Sequence, residues 1–159
     1  MPVIDLKETT IKIKDAGVNE VEIKIGEGNL TYSEKRNIEY FKDRGNLDLV
    51  REGDEEPVDL SFDFVWEWLR TNNATVTVEE ALKQTGAAAA WASTGGTCEP
   101  YAVDLELIYN PTCGTTQSEK ITFSEFRYEQ LDHDLRAGTV SASGKCNETA
   151  PTVERIAST

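Results

Sequence analysis

The chain has 159 residues, a formal net charge of −13 and an apolar content of 38%, which fit one globular domain with a hydrophobic core. The excess of carboxylates argues against a protein that grips nucleic acid, because phosphate binding requires clustered lysine and arginine. No apolar run approaches the ~20 residues of a membrane span, and residues 1–10 lack the pattern of a signal peptide. We therefore expect no membrane association and synthesis in a cytoplasm.

The N-terminal segment predicts a β-hairpin. Ile11 and Ile13 alternate with lysines, and residues 15–17 supply turn chemistry. Apolar residues alternate again from Val21 to Ile25. The two alternating runs are therefore interpreted as the first pair of strands.

A long polar stretch follows at residues 33–46, with an apolar island that includes Tyr40 and Phe41. Connections of this length are usually functional or disordered. We interpret the stretch as a long loop or extended hairpin whose exposed aromatic residues form a contact surface. The alternative is that Tyr40 and Phe41 fold back on the core.

The clearest signal is a strand with one aromatic face and one acidic face. Because successive side chains of a strand point to opposite sides, Asp59, Asp63 and Glu67 are expected opposite the apolar set. A helical interpretation leaves two of the aromatic side chains off its apolar stripe, and aromatic enrichment favours the strand. We expect a preceding strand, which begins at residues 47–49, to form a hairpin with it. The alternating apolar residues are Val58, Leu60, Phe62, Phe64, Trp66 and Trp68.

One short helix is predicted after this strand. Residues 77–80, Thr-Val-Glu-Glu, form a capping box in which hydroxyl and carboxylate satisfy unpaired backbone N–H groups. The helix is expected to end at Gly86 or to continue through the alanines of residues 87–90.

The C-terminal half predicts two long strands and an irregularity. Apolar residues alternate over residues 103–109, and a second alternating strand changes phase between Phe123 and Phe126. The change of phase near Ser124 and Glu125 indicates a β-bulge. A turn at residues 132–138 and a last strand rich in small residues follow.

These elements add up to a mainly β protein. The most economical architecture is a β-sandwich or partly closed barrel with one flanking α-helix and seven or eight strands. It includes the long loop or hairpin at residues 33–46 and terminal arms, of which the C-terminal one spans residues 146–159. We expect a single domain over residues 1–159.

The residues that carry catalytic chemistry are scarce. The single histidine, His133, lies between two aspartates in a predicted turn, where an exposed role is expected. Nucleophilic catalysis of the familiar kind needs an oriented base, which is usually histidine. We therefore expect no enzyme, no cofactor and no metal.

Three cysteines are too few and too odd in number for a secreted disulfide framework. If the strands at residues 101–109 and 121–131 are antiparallel, Cys98 and Cys113 lie at opposite ends of that hairpin. The next turn then returns Cys146 towards Cys113. A Cys113–Cys146 disulfide and inert buried thiols both remain open.

The same elements recur in a recognisable order. Residues 28–32, GNLTY, lead into the polar stretch, and residues 45–57, GNLDLVREGDEEP, lead into the aromatic strand. One central helix, residues 99–107, EPYAVDLEL, and a terminal hairpin ending SGK at residues 143–145 follow. Over nearly the whole chain, this order resembles the tail tube (major tail) proteins of tailed bacteriophages.

The resemblance implies a structural protein of the virion tail, assembled in the cytoplasm of the host bacterium. Six copies would join their sheets into a ring, and rings would stack into a hollow tube through which the genome leaves. The implied partners are further copies of the chain, a tape-measure protein, a tail terminator and baseplate or tip proteins. If the tail is contractile, the implied partners also include a sheath protein. Double-stranded DNA is expected to pass through the tube without specific binding.

The resemblance also suggests two sets of site residues. A lumen lined with carboxylates repels phosphate, although the same acids could equally face the outer solvent. Contacts between rings or subunits are expected from Arg36, Tyr40, Phe41, Arg44, Val153 and Ile156. Lumen-facing acids are expected at Asp59, Asp63, Glu67, Asp104 and Glu106.

Two other interpretations remain. A monomeric β-sandwich binding module would present Trp91 and Tyr101 as a platform for a carbohydrate or protein ligand. A tail terminator, baseplate or secretion-tube protein would share a related fold and differ in its position in the particle.

Overall fold

The computed structural model describes residues 9–23, 25, 28–66, 76–110 and 118–156. Most of these residues lie in antiparallel strands, and ten strands are present in the described part, more than the seven or eight expected. The strands are β1 (Thr9–Lys14), β2 (Glu20–Glu22), β3 (Leu30–Ser33), β4 (Ile38–Asp43), β5 (Asn46–Glu52), β6 (Val58–Val65), β7 (Val103–Tyr109), β8 (Ser118–Asp134), β9 (Thr139–Cys146) and β10 (Thr152–Ile156), with one α-helix, α1 (Val78–Lys83).

The strands form one large sheet and one separate hairpin. The large sheet has the order β2-β1-β7-β8-β9-β6-β3, with β10 paired to β8, whereas β4 and β5 pair only with each other. Strand β8 has 17 residues and joins the two halves of the sheet, which are β2-β1-β7 on one side and β9-β6-β3 on the other. Its first half pairs with β7 and β10, and its second half pairs with β9. The mainly β, sandwich-like fold predicted from the sequence is confirmed.

The predicted β-bulge is present in β8. Val103 lies opposite Phe126 and Leu105 lies opposite Phe123, so β8 contains one extra residue in this interval. Glu125 has a φ of 53° at that point. Its backbone N–H donates to Oδ1 of Asp104 at 3.0 Å, which satisfies a group that the ladder leaves unpaired.

The core lies between the two halves of the large sheet. Alternation along β6 buries Val58, Leu60, Phe62 and Phe64, each no more than 1% exposed. The Phe62 ring lies 5.8 Å from the ring of Phe126 on β8, measured between centroids. Full burial of each such side chain stabilises the fold by roughly 1.5–3 kcal/mol, so the aromatic strand contributes substantially to the core.

The helix begins as predicted and ends earlier. The Thr77 hydroxyl accepts a hydrogen bond from the Glu80 backbone N–H, which confirms the hydroxyl half of the predicted capping box. The prediction that the helix ends at Gly86 or continues beyond it is wrong, because Gln84 adopts a left-handed conformation with φ 56°. The Glu80 carboxylate then accepts the Ala87 N–H at 2.6 Å and stabilises the altered chain direction.

The predicted hairpin between the strand at residues 47–49 and the aromatic strand is also wrong. β5 pairs with β4, while β6 lies between β3 and β9. Arg44 and Gly45 both have positive φ values, 55° and 86°, as a tight two-residue hairpin turn requires. This local pairing brings β5 to β4, and the acidic segment after β5 separates it from β6.

Candidate assembly surfaces

The β4–β5 hairpin is exposed along most of its length. Every residue of β5 is exposed, and so are the last four residues of β4. An isolated two-stranded hairpin is at best marginally stable in water, and contiguous exposed apolar side chains usually mark an interaction surface. The large exposed side chains are Tyr40 (62%), Phe41 (41%), Leu47 (72%), Leu49 (57%) and Val50 (56%).

Both faces of the hairpin carry apolar side chains. Tyr40 lies opposite Val50, and Phe41 lies opposite Leu49. Residues opposite each other across an antiparallel pair share a face, and adjacent residues point to opposite faces. The hairpin therefore presents one apolar pair on each side, and both sides are available for contacts.

An arginine orders the face that carries Phe41. The guanidinium carbon of Arg51 lies 5.1 Å from the centre of the Phe41 ring. The Nε of the same arginine lies 2.6 Å from a carboxylate oxygen of Glu39, which is directly opposite on β4. A cation–π contact and an exposed ion pair each contribute modestly, and together they hold the arginine flat over the ring.

The predicted contact residues divide between the hairpin and β10. Arg36 lies at the hairpin base, where its Nε is 3.0 Å from Glu52, and Arg44 lies at the tip with its side chain 90% exposed. Val153 lies apart from the hairpin, on β10, and is 56% exposed. The segment described above as an arm thus pairs with β8 of its own chain, and the side chain of Ile156 lies outside the described residues.

The hairpin differs in charge from the rest of the chain. Residues 36–52 contain four basic and four acidic residues, so their net charge is zero. The remaining residues contain 16 − 4 = 12 basic and 29 − 4 = 25 acidic residues, and they carry the entire charge of −13. Another acidic copy therefore does not repel the hairpin through its net charge.

The acids predicted on β6 lie on its polar side. Asp59 and Asp63 alternate with the buried apolar residues of the strand. A carboxylate oxygen of Asp59 lies 2.6 Å from Nζ of Lys35, and this hydrogen bond holds the pKa of Asp59 below its usual value. Asp63 accepts a long hydrogen bond of 3.4 Å from the Asn29 backbone N–H. Glu67 lies outside the described residues.

The acids predicted on β7 are engaged in other contacts. The Asp104 carboxylate accepts the Glu125 N–H at the bulge, and Glu106 is only 6% exposed. Burial alone would raise the pKa of Glu106, but the hydrogen bond from Lys14 and the charge of Lys120 outweigh it and lower that pKa. Since β8 and β9 separate β7 from β6, these acids do not form one continuous unpaired acidic surface.

The platform suggested for a monomeric binding module is absent from the surface. Trp91 is 5% exposed and belongs to the core. The Tyr101 hydroxyl donates to the carbonyl oxygen of Ala81 at 3.0 Å, and burial raises the pKa of Tyr101 to about 12. The two aromatic residues therefore dock the segment before β7 against α1, and the prediction of an exposed platform is wrong.

The single histidine is not in a turn. Strand β8 extends to Asp134, so His133 lies on the strand, with Nε2 3.0 Å from Oε1 of Glu79 on α1. Its ring also packs edge-on against Trp66 at 5.7 Å between ring centres. In the described ranges, no group of three or more histidine, cysteine or acidic residues is placed to hold a metal ion.

The cysteines differ in exposure. Cys146 is 0% exposed, and burial raises the pKa of its thiol to about 12, whereas Cys98 is exposed. β8 continues to Asp134, and β9 runs back along it from Thr139, which lies opposite Asp134. β9 ends at Cys146, which therefore lies opposite Phe126 in the middle of β8. Cys113 lies outside the described residues, so the disulfide stays a prediction.

The structure contains a cleft at the hairpin base that the residue pattern does not predict. The acidic run after β5 forms one wall of this cavity, which has a volume of about 550 Å³. The feature of the sequence that corresponds to this cleft is the presence of charged residues both before and after the hairpin. The lining comprises Glu34, Lys35, Arg36, Asn37, Glu52, Gly53, Asp54, Glu55, Glu56 and Thr149.

Solved structures with a similar fold come from contractile injection particles, and no protein-family model or curated protein matches the sequence. A chain in the sheath/tube terminator of an extracellular contractile injection system, PVC, has a TM-score of 0.58 at 9% identity, over 97% of this chain and 98% of that one. A chain of the anti-feeding prophage (AFP) baseplate, 6-fold symmetrised, has a TM-score of 0.51 at 9% identity and covers 97% and 96%. A chain of the PVC sheath-tube complex has a TM-score of 0.52 at 9% identity and covers 97% and 93%.

These likenesses establish a shared fold along almost the entire chain. Each of the three neighbours is a component of a tail-like particle, and none of the descriptions names an enzyme. At 9% identity, individual residues cannot be equated between the chains. Within the described residues, no helix has the length and apolar character needed to cross a membrane.

Proposed function

We propose that this chain is a structural, non-catalytic subunit of a phage-like tail that assembles into rings and stacks them into a hollow tube. The observation that carries the proposal is the β4–β5 hairpin, which is exposed and apolar on both faces in a chain whose fold recurs in tail-like particles. Six copies per ring are suggested by the 6-fold symmetrised particle that contains one of the neighbours.

Two strand edges that pair with no other strand in the described part of the chain support ring formation. β2 and β3 end the large sheet, and β10 pairs with β8 along one edge. Unpaired edges invite pairing with another chain, and head-to-tail contacts that close by rotation produce rings. Val153 on β10 is then placed to contact a neighbouring subunit, as proposed for Ile156.

The charge of the chain supports passage of DNA without binding. Six copies carry 6 × −13 = −78 charges before counter-ions, which repel phosphate in a narrow lumen. Because Asp59 and Glu106 are paired with lysines, the repulsion in this account depends mostly on Asp63, Asp104 and the overall charge. The proposed particle is made in a bacterial cytoplasm and contains tape-measure, terminator and baseplate or tip proteins, with a sheath if it contracts.

A second candidate places the chain at the end of the tube. The neighbour with the TM-score of 0.58 comes from a sheath/tube terminator, and a baseplate chain is also similar. A terminator or baseplate subunit would form a single ring and would not stack on further copies. The two candidates therefore differ in whether assembly stops at one ring.

The hairpin is tested with a double variant, Tyr40→Ala and Phe41→Ala. Both side chains are exposed, so the monomer should keep its stability while ring stacking is lost. Sedimentation velocity over a range of concentrations measures the assembly. The control is Tyr128→Ala, which removes an aromatic residue of 38% exposure from β8. Stacked rings from the double variant would refute the role given to the hairpin.

A further inference from the structure

The cleft at the hairpin base has an uncompensated negative charge. Its two cations are already engaged, since Lys35 pairs with Asp59 at 2.6 Å and Arg36 pairs with Glu52 at 3.0 Å. Four of its carboxylates make no ion pair with any residue in the described part of the chain, and they are Glu34, Asp54, Glu55 and Glu56. Of these, Glu56 acts on Lys35 through its charge alone. We call the cavity lined by residues 34–37, residues 52–56 and Thr149 the acidic cleft.

The other end of the same hairpin carries cations without a strong partner. Lys42 makes no ion pair with any described residue, and Arg44 has only a long contact of 4.0 Å to its neighbour Asp43 within the described chain. The Arg44 side chain is 90% exposed. Residues 42–47 at the tip contain these two cations and the exposed Asp43, so the tip has a net charge of +1 and is accessible, whereas the cleft is negatively charged and concave.

The tip and the cleft of one chain cannot meet. β4 has six residues, and at ~3.4 Å per residue the tip lies about 20 Å from the base of the hairpin. The Gly53 N–H donates to the Asn37 carbonyl at 2.7 Å, which closes the base and keeps the two strands together there. The complementary charges of one chain therefore cannot pair with each other, and they are available to a second copy.

We propose that the hairpin tip of one copy binds the acidic cleft of a second copy, with Lys42 and Arg44 facing Glu34, Asp54 and Glu55. This inference rests on the proposed function and identifies the partner surface of the hairpin. A tip-to-base contact is head-to-tail, so each copy offers one tip and one cleft and the contact repeats along the assembly. The charges set the register of docking, while the apolar faces of the hairpin supply buried area.

Two charge-reversed variants test the proposal. The tip variant carries Lys42→Glu and Arg44→Glu, and the cleft variant carries Asp54→Lys and Glu55→Lys. In each variant alone the tip and the cleft have the same sign, so the concentration at which assembly begins, measured by sedimentation velocity, should rise at least about tenfold. In an equimolar mixture every tip finds a cleft of opposite sign, and assembly should return to the wild-type threshold.

A matched control separates this contact from a general charge effect. Arg136→Glu with Lys145→Glu changes the net charge by the same amount at exposed positions on the β8–β9 turn and on β9, and it should leave the threshold within about twofold of wild type. Circular dichroism checks that each variant is folded.

The outcomes distinguish the two proposals. If the wild type assembles and the tip variant assembles equally well, the tip–cleft contact is refuted while the proposed function stands. If the wild type stays monomeric, the proposed function fails, and the mixture of variants still tests the contact by pairwise association. A mixture that associates no better than either variant alone overturns the contact in every case.

Discussion

The Nζ atom of Lys14 on β1 lies 2.7 Å from Oε2 of Glu106 on β7, and Lys120 on β8 lies 3.5 Å from the other carboxylate oxygen. The three side chains join three adjacent strands on the polar side of the sheet. An acid that the sequence suggested for a lumen wall is thus part of an internal ion pair. We therefore expect Glu106 to stabilise the folded subunit.

Replacing Glu106 by Gln should lower the free energy of unfolding by about 1–2 kcal/mol at pH 7, measured by urea denaturation. Removing one partner of a fully buried ion pair lowers the free energy of unfolding by more than this. The loss is smaller here because Lys14 is 36% exposed and solvent screens the pair. The control is Glu20→Gln, because Glu20 contacts the same lysine at 3.8 Å from an exposed position and should cost under about 0.5 kcal/mol.

The effect of Glu106 should depend on pH. Folding lowers the pKa of this carboxyl group, so its stabilisation is complete above the unfolded pKa of about 4.3 and is lost as pH falls through the lower folded value. The difference between wild type and Glu106→Gln should therefore shrink in acid. A difference that grows between pH 5 and pH 3 would contradict the assigned ion pair.

Replacing Gly144 by Ala should destabilise the chain by about 2–3 kcal/mol, measured by thermal or urea unfolding. A Cβ at this position would overlap the backbone carbonyl of Arg127 on β8, which can move only if the two strands separate. The comparison is Gly138→Ala, where φ is +70° but no atom lies within 4 Å. That change adds only backbone strain, about 1 kcal/mol. Equal effects of the two changes would contradict the β8–β9 packing.

The cysteines should differ in their reaction with a thiol reagent. In the native protein at pH 8, Cys98 should be alkylated rapidly and Cys146 should be protected, because Cys146 is buried and its pKa is about 12. Mass spectrometry of peptides from native and urea-unfolded samples gives the result. If Cys146 reacts only after both unfolding and reduction, it is oxidised to another cysteine, and the predicted Cys113–Cys146 disulfide gains its evidence.

Features set by neighbouring residues were predictable from the sequence. Strict alternation identified β6 and its buried face, the Thr77–Glu80 spacing identified the helix start, and the change of phase near Ser124 identified the bulge. Each depends on local geometry that the residue pattern expresses directly.

Features that depend on distant partners were not predictable in this way. The pairing of β5 with β4, the helix end at Gln84 and the burial of Trp91 are decided by competing contacts that a single sequence does not display. The acidic cleft is similar, because its walls come from both sides of a hairpin and from Thr149, far along the chain. The zero net charge of residues 36–52 within an acidic chain is a further feature of the sequence that sets this surface apart.

Negative-stain electron microscopy of the purified chain over a range of concentrations tests whether this chain builds a tube. We expect rings of uniform diameter that stack into hollow tubes as concentration rises, with light scattering increasing in parallel. A particle that remains monomeric at every concentration would contradict the claim that this chain builds a tube.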